Sequence, residues 1–404
     1  MMYSGYKLAL FSGASETELE ENIDQLRLSC GDPERFEKER NEYNSSDRFR
    51  SFAVYENAED LMRLTAPENR DALNISNDKK YADDTVFLFP GSGIHQKKML
   101  TILSGVSPFF MNRLQQLDEI CSEIYDVRLL DEDNEDELAD QLRVLASEIA
   151  IAEHWERLGC CADHVIGHSM GEYAAAVFSG IISEKSAFFL LKERCLAMCH
   201  NDDHCMAAAE SSAQKIMSLS SAAGLNTSIS AYNAPEIVTV CGTNPDMQIL
   251  AGVCKNQGIR FSLINGSRGG HYEGLRSCAE EFLQKSRQIK FSKPRKNFIS
   301  TLDPDGIRYT PDTPEYWYAH IFRPVMFSQA VSKLPVKDIG RVIDAGVSPV
   351  LINMVMKTLG NINASWIPTV RSSRNYGRHM LHSAGCAFNS GINISIDKLN
   401  CNII

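Results

Sequence analysis

The sequence predicts an α/β protein built on a parallel sheet, with a smaller inserted subdomain and a small α/β unit before the main body. A short apolar run, Val165-Ile166, leads through Gly167-His168-Ser169-Met170-Gly171 into a helix-forming stretch. A second apolar run at 85–89 leads into the turn Pro90-Gly91-Ser92-Gly93. Strands that pass through tight turns into helices are typical of parallel sheets. A third segment, 206–263, changes to a different order of elements and indicates an insert.

Residues 1–82 are predicted to form the small N-terminal α/β unit. Ser15 and Glu18 have the spacing of a capping box, which favours a helix start at this point. The expected elements are a strand, a helix, an exposed charged segment, a second strand and a second helix, at Tyr6–Phe11, Ser15–Leu28, Asp32–Asp47, Phe49–Tyr55 and Ala58–Thr65. This unit resembles a separate module that precedes the main body.

The insert is predicted to be ferredoxin-like, because its elements follow the order strand, helix, strand, strand, helix, strand. They are expected at Met206–Ala209, Ala213–Ala222, Ser228–Tyr232, Ile237–Gly242, Asp246–Asn256 and Ile259–Leu263. The predicted main body is then 83–205 and 264–370, and the insert is 206–263. Residues 371–404 lose strong periodicity and are expected to wrap the surface as a linker-like tail.

Composition excludes several classes of function. The chain has 404 residues and a net charge of -11, from 52 acidic and 41 basic side chains, which argues against general nucleic-acid binding. No signal peptide or transmembrane span is evident, and the 12 scattered cysteines suit a reducing compartment, so a cytoplasmic location is expected. One cysteine and histidine cluster matches no strong zinc pattern, and no metal site is predicted: Cys195, Cys199, His200, His204 and Cys205.

Ser169 is the leading candidate nucleophile. Glycines on both sides let the backbone turn sharply, lift the hydroxyl clear of the sheet and aim backbone amides at a developing oxyanion. His168 is its neighbour on the turn, but a residue in that position normally points elsewhere, so a packing role is expected for it. The glycine-rich turn at 90–93 is a plausible second source of oxyanion donors.

Five motifs in order resemble the malonyl-CoA:acyl-carrier-protein transacylase family and the acyltransferase domains of polyketide synthases. They are Phe87–Gly93, Gly167–Glu172, Asn233–Pro235, Tyr316–Val325 and Asp344–Leu351. The resemblance covers most of the chain and implies a hydrolase-like large subdomain. The N-terminal unit and Ile367–Arg371 are similar to the linkers that flank such domains, which implies a discrete, trans-acting enzyme that keeps both linkers.

The resemblance also implies roles for particular residues. His271 matches the family's general base for Ser169. The oxyanion hole is expected from the backbone amides of Met170 and Ser92, where Ser92 replaces the family's usual glutamine. In this family a backbone carbonyl, not a carboxylate, orients the base, and the motif alignment places that carbonyl at His320.

Arg194 indicates the substrate class. It lies 25 residues beyond Ser169, as the family's arginine does, and a guanidinium can hold a carboxylate through paired hydrogen bonds. This implies a malonyl-type acyl group.

The acyl pocket departs from the family pattern. Before the base the chain has Arg268-Gly269-Gly270 where the family has His-Ala-Phe or Tyr-Ala-Ser. Gly270 is expected to leave room at C2 of the acyl group for a methyl, hydroxyl or amino substituent, and Arg268 is expected to favour a polar one. Asn233 is a further candidate pocket residue, or only part of a turn.

The expected reaction is transfer of a malonyl-type extender from a coenzyme A or carrier-protein thioester to the phosphopantetheine thiol of an acyl carrier protein domain. The partners would be polyketide or peptide synthase modules, with no bound cofactor, nucleic acid or membrane. A basic patch is the candidate docking surface: Lys285, Arg287, Lys290, Lys293, Arg295 and Lys296. The alternatives are a proofreading thioester hydrolase, against which Arg194 counts, and a non-catalytic docking subunit.

Overall fold

The computed structural model describes residues 5–32, 43–73, 75–76, 81–125, 128–133, 136–199, 203–264, 268–372 and 374–400. Its strands are β1 (Lys7–Gly13), β2 (Phe49–Tyr55), β3 (Asp84–Phe89), β4 (His164–Gly167), β5 (His204–Ala209), β6 (Thr227–Ala234), β7 (Ile237–Thr243), β8 (Phe261–Leu263), β9 (Asn297–Phe298), β10 (Ile339–Asp344) and β11 (Ser365–Pro368). They form two-, five- and four-stranded sheets.

The helices, in chain order, are α1 (Glu16–Ser29), α2 (Ala58–Leu64), α3 (Met99–Ser104), α4 (Pro108–Ser122), α5 (Glu137–Arg157), α6 (Gly171–Phe178), α7 (Glu184–Met198), α8 (Ala213–Ala222), α9 (Asn244–Asn256), α10 (Glu280–Ser286), α11 (Pro314–Phe322), α12 (Phe327–Val331), α13 (Val350–Leu359), α14 (Tyr376–Asn389) and α15 (Ile396–Asn400). Short 3-10 helices lie at Pro67–Ala72 and Glu273–Leu275. Across the described ranges, none of these helices combines the length and apolarity that crossing a bilayer requires.

The five-stranded sheet is wholly parallel and has the order β11-β10-β3-β4-β9, which confirms the predicted fold class. Every residue of β10 is buried, as are Thr85 to Phe89 of β3, because helices cover both faces of the sheet. Phe89 pairs with Gly167, so β3 and β4 end side by side. The two turns that the sequence singled out therefore meet at the carboxyl edge of the sheet, where α/β proteins commonly bind ligands.

The inserted subdomain has an antiparallel sheet with the order β6-β7-β5-β8. With α8 and α9 in the connections, this is the predicted ferredoxin-like arrangement. Its first strand begins at His204, slightly before the expected 206. Val325 of the main body exchanges backbone hydrogen bonds with β6, through Tyr232 N and Ser230 O, both at 2.8 Å. The insert is thus fixed to the segment that follows α11.

The C-terminal region differs from the expected surface tail. Residues 376–389 form α14, whose apolar side covers the β1-β2 sheet of the N-terminal unit. Phe52 and Phe388 are buried there, and the Arg50 guanidinium donates to the carbonyls of Phe388 and Ile392, both at 3.1 Å. Large apolar residues recur on its buried side at helical spacing, a signal that the expectation of a surface tail overlooked: Tyr376, Met380, Leu381 and Phe388. Part of the predicted charged segment at 32–47, residues 33–42, lies outside the described residues.

The contact of α14 with β2 predicts a strong size limit at Gly385. A Cβ atom there would lie 2.2 Å from the ring of Phe52, which is packed in the core and has little freedom to move. We expect Gly385→Ala to lower stability by about 1 to 3 kcal/mol, measured by chemical or thermal unfolding. Gly252→Ala is the matched control, because Gly252 lies in α9 with open space around its Cβ position. Equal stability of the two variants would contradict this packing.

Candidate active site

Ser169 lies on a strained turn between β4 and α6. Its φ is 52°, a left-handed conformation that costs a non-glycine residue about 1 to 3 kcal/mol. The flanking glycines are required by close packing: a Cβ on Gly167 would lie 2.3 Å from the amide nitrogen of Glu172, and one on Gly171 would lie 2.0 Å from the carbonyl oxygen of Phe89. The predicted nucleophile elbow is therefore present in its full geometry.

His271 contacts Ser169 directly. Its Nε2 lies 2.6 Å from Ser169 Oγ, and its Nδ1 lies 3.0 Å from the carbonyl oxygen of Arg323. Because a carbonyl can only accept, Nδ1 carries the proton and Nε2 is free to accept the serine proton. His271 also has a positive φ of 57°, and its backbone nitrogen donates to Ile321 O at 3.1 Å.

The hydrogen bond to Arg323 corrects the expectation that the His320 carbonyl orients the base. His320 lies within α11, whereas Arg323 follows its last turn and has an extended backbone, with φ −89° and ψ 148°. That change of direction turns the Arg323 carbonyl toward His271, and the His320 carbonyl contributes only a lesser backbone contact. Carboxylate oxygens are absent from the hydrogen-bond partners of His271 within the described ranges.

Burial, and secondarily the positive charge of Arg194, lower the pKa of His271 to about 3. The hydrogen bond from its ring to Arg323 O acts in the opposite direction but is weaker. The imidazole is thus neutral and able to accept a proton throughout the physiological pH range.

The two backbone amides that were expected to form the oxyanion hole lie on neighbouring turns and are free to donate. The turn at 90–93 presses against the elbow, because a Cβ on Gly91 would lie 2.3 Å from the amide nitrogen of Gly171. In the part of the chain that the structure describes, the amides of Ser92 and Met170 have no hydrogen-bond acceptor. Glu148, which the sequence analysis missed, accepts from Gly91 N at 2.6 Å and anchors this turn.

Arg194 lies beside the candidate nucleophile. It projects from α7, is only 4% exposed, and its Nη2 lies 3.4 Å from Ser169 Oγ. Among the described residues no carboxylate lies within ion-pair distance of it, and its Nε has no acceptor. A buried guanidinium without an anionic partner is energetically costly, so this site is suited to an anionic ligand.

Methionine side chains lie beside the residues before the base. A Cβ on Gly270 would lie 3.2 Å from Met198 Cε and 3.7 Å from Met206 Sδ, so the ends of two methionine side chains border the space that the glycine was expected to leave. Arg268 donates to the Cys199 carbonyl at 3.1 Å and lies 3.4 Å from a Glu137 oxygen, which accounts for its turning toward α5. Met198 follows Arg194 by four residues on α7, a spacing that could have indicated it as a pocket residue.

Asn233 holds the elbow to the insert. Its Oδ1 lies 2.7 Å from His168 Nε2 and its Nδ2 donates to Thr239 Oγ1 at 3.0 Å. Both polar ends of the amide are thereby engaged, and Asn233 acts as a brace between β6 and the turn that carries Ser169. The expectation that His168 has a packing and hydrogen-bonding role agrees with this contact.

The described residues contain no group of three or more histidine, cysteine or acidic side chains that could hold a metal ion. Cys195 instead lies 3.2 Å from Gln141 Oε1. His200, a member of the cysteine and histidine cluster noted in the sequence, lies outside the described residues.

The fold and this site define an α/β acyl-transfer enzyme of the serine–histidine type. The chain belongs to the acyl transferase domain family, whose model matches residues 86–393. Over 367 residues it is 25% identical to a non-reducing polyketide synthase of Pseudevernia furfuracea, a match that covers 85% of this chain and 17% of the synthase. The chain is thus an acyltransferase domain of the polyketide-synthase type and spans a small part of that relative.

Solved structures show the same fold. The acyltransferase domain from module 8 of the salinomycin polyketide synthase is 23% identical, with a TM-score of 0.85 and coverage of 98% of each chain. An acyl carrier protein S-malonyltransferase from Vibrio cholerae is 21% identical, with a TM-score of 0.62, and covers 72% of this chain and 98% of its own. The whole of this chain therefore has its counterpart in the synthase domain.

The charge of Arg194 predicts a specific pH effect. Removal of that charge in Arg194→Gln should raise the pKa of His271 from about 3 toward the ordinary value, although burial still opposes this. The base is lost when His271 is protonated, so the acid limb of acyl-enzyme formation should move to higher pH. The measurement is acylation by an uncharged acetyl thioester from about pH 4 to about pH 7, where the wild-type rate should be nearly constant and the Arg194→Gln rate should fall toward the acid end.

Arg268→Gln is the control for this prediction, because Arg268 contacts Glu137 and the Cys199 carbonyl and is not among the groups that shift the pKa of His271. Its acid limb should coincide with that of the wild type. An unchanged limb in Arg194→Gln would show that Arg194 does not influence the base.

Proposed function

We propose that the chain transfers a malonyl-type acyl group from a coenzyme A or carrier-protein thioester, through an ester on Ser169, to the phosphopantetheine thiol of an acyl carrier protein. One observation carries this proposal: a buried, unpaired Arg194 guanidinium 3.4 Å from Ser169 Oγ. An acyl group with a free carboxylate supplies the missing anion when its thioester carbon is at the serine. Relatives that are polyketide synthases support the same class of reaction.

In the first half-reaction, Ser169 Oγ attacks the thioester carbonyl carbon and His271 Nε2 takes the hydroxyl proton across their 2.6 Å contact. The carbonyl oxygen becomes an oxyanion that accepts from the amides of Ser92 and Met170. The carbon–sulfur bond then breaks, and the proton on Nε2 passes to the departing thiolate. The products are an acyl-Ser169 ester and a free thiol.

The second half-reaction runs the same steps in reverse with a different thiol. His271 Nε2 takes the proton of the phosphopantetheine thiol, the sulfur attacks the ester carbon, and Ser169 leaves with that proton restored. The carboxylate held by Arg194 fixes the acyl group in both halves. No step requires a bound cofactor.

A bound carboxylate also strengthens the base. The positive charge of Arg194 is one cause of the low pKa of His271, and pairing with a malonyl carboxylate neutralises that charge. The pKa of His271 then rises, which makes it a better proton acceptor when the correct donor is bound. Acetyl donors have no carboxylate and cannot raise the pKa of His271. The preference for malonyl over acetyl donors therefore includes the rate of acylation as well as the binding of the donor.

Unsubstituted malonyl is the proposed extender. A methyl, hydroxyl or amino group at C2 would need open space beside Gly270, and a polar one would need a hydrogen-bond donor from Arg268. Met198 and Met206 border that space, and Arg268 points toward α5. Substituted malonyl groups remain outcomes of a competition among donors.

An acyl carrier protein is the proposed partner, and the structure reduces its candidate docking patch. Lys285 is paired with Glu193 and Glu281, at 2.6 and 2.8 Å, and Lys296 is paired with Glu156 at 2.6 Å. Arg287 lies 4.0 Å from a Glu315 oxygen. Exposed side chains without an ion pair among the described residues are Lys290, Lys293 and Arg295.

Intact-mass measurement with malonyl, methylmalonyl, hydroxymalonyl and aminomalonyl thioesters tests the proposal. The wild type should gain one acyl mass at Ser169, with malonyl preferred, and should lose it on addition of a phosphopantetheinylated carrier protein that becomes acylated. Ser169→Ala should gain none. A normal adduct in Ser169→Ala would refute the assigned nucleophile, and release as free malonate faster than transfer to the carrier would identify a hydrolase.

The position of Met198 and Met206 beside Gly270 predicts a change of substrate specificity in Met198→Ala. Loss of the Met198 side chain should leave room beside C2, and a single methyl contact is worth about 1 to 3 kcal/mol. We expect the preference for malonyl over methylmalonyl to fall by about tenfold or more, measured as the ratio of kcat/KM values. Met356→Ala, an exposed residue of α13, is the control and should leave the ratio unchanged. An unchanged ratio in Met198→Ala would exclude Met198 from the acyl pocket.

A further inference from the structure

Glu172 is a fully buried carboxyl group that the mechanism does not use. It lies in the first turn of α6, and its backbone nitrogen donates to the carbonyl of Ser169 at 3.0 Å. Its Oε1 accepts from the backbone nitrogen and the hydroxyl of Thr301, at 2.6 and 2.7 Å, and its Oε2 accepts from Tyr316 Oη at 2.5 Å. Among the described residues no lysine or arginine pairs with it.

The side chain of Glu172 contacts α11 along one face. Tyr316 and His320 are four residues apart and therefore lie on the same side of that helix. His320 Nε2 is 3.3 Å from Glu172 Oε2, close but without hydrogen-bond geometry. The His320 ring is also 5.5 Å from that of His271, edge to face at 87°. Glu172 is thus joined to the helix that lies directly against the base.

The end of the same helix holds His271. The carbonyls of Ile321 and Arg323 lie at the helix C-terminus, where carbonyls lack partners within the helix, and both accept from His271. Thr301 completes the connection, because its carbonyl accepts from Met326 N at 2.6 Å, just beyond the helix. Any shift of α11 would therefore move both contacts that orient the base.

The hydrogen bonds of the Glu172 carboxyl group suit a fixed link between the serine turn and α11. Burial raises the pKa of Glu172 to about 7, while the hydrogen bonds from Tyr316 and Thr301 oppose that rise. A buried carboxyl is costly unless its oxygens are satisfied, and here three donors satisfy them. The groups with ionisable side chains that face the Glu172–His320 contact are Tyr316, Tyr173, His271, His168 and Arg194.

We propose that Glu172 is a positioning residue that sets the contact between Ser169 and His271 by fixing α11 to the serine turn. Its backbone is bonded to the residue that carries the nucleophile, and its side chain is bonded to the helix whose carbonyls orient the base. This inference rests on the proposed role of His271 as the base. It assigns no proton transfer to Glu172.

Glu172→Gln tests the inference, because the amide keeps the size of the side chain but presents donors to Tyr316 and His320. We expect the rate of Ser169 acylation at saturating malonyl donor to fall about 10- to 100-fold, with KM changed less than twofold, since small misplacements of reacting groups have effects of this size. Tyr316→Phe keeps the Glu172 carboxyl but removes its hydrogen bond from Tyr316 Oη, together with the 2.8 Å contact between Tyr316 Oη and Ser300 Oγ, and should show a smaller loss of the same kind. Glu132→Gln is the matched control, because Glu132 is a buried carboxylate that accepts from Leu100 N and Thr101 N away from the site.

A double-mutant cycle separates positioning from general stability. If Glu172 acts through the base, Glu172→Gln should cause no further loss in a His271→Ala background, in which acylation is followed by intact mass over long incubations. An equal loss in both backgrounds, or a loss as large in Glu132→Gln, would overturn the inference. If Glu172→Gln does not fold, the same criteria apply to Tyr316→Phe. Failure of the proposed function is a separate result: the wild type would form no malonyl adduct at all.

Discussion

The contact between the turns that follow β3 and β4 brings the candidate nucleophile and the candidate oxyanion donors together. A Cβ on Gly171 would overlap the carbonyl of Phe89, and a Cβ on Gly91 would overlap the amide of Gly171. Because the two strands are parallel neighbours, this contact forces the serine turn and the second glycine turn together at one edge of the sheet. The left-handed Ser169 and the open amides of Ser92 and Met170 are local consequences of that packing.

In the proposed function, charge balance gives the site its specificity. Arg194 is buried with no anion beside it, and the neighbouring His271 is held neutral by burial and by that same positive charge. The uncompensated guanidinium is unfavourable in the free protein and would be paired by a bound carboxylate, which would also raise the pKa of His271. A serine and a histidine alone suit any acyl transfer. The uncompensated guanidinium is what narrows the proposed donor to a dicarboxylic acyl thioester.

Much of the fold could be predicted from the sequence because its signals are local. The glycine turns, the capped helix near Ser15 and the alternating elements of the insert each depend on a few adjacent residues. Helix α14 also has such a local signal, in Tyr376, Met380 and Phe388. What could not be predicted is the contact of its Gly385 with Phe52, which lies more than 300 positions away in the chain.

In the site, too, short motifs could be recognised from the sequence, whereas contacts between distant segments could not. Motif order brought Ser169, His271 and Arg194 to attention, and the structure places them in contact. The carbonyl that orients the base belongs to Arg323, three residues after the predicted His320, because the motif alignment could not show where α11 ends. The methionines beside Gly270 could not be predicted from residues 268–270 alone, since Met198 and Met206 come from other elements.

A competition for Ser169 between equimolar malonyl and acetyl thioesters, in the wild type and in Arg194→Ala, tests the central claim most directly. The wild type should form almost only the malonyl adduct, and the variant should lose or reverse that preference, as read by intact mass. Retention of the malonyl preference in Arg194→Ala would contradict it, because the buried guanidinium would then not be the group that receives the carboxylate.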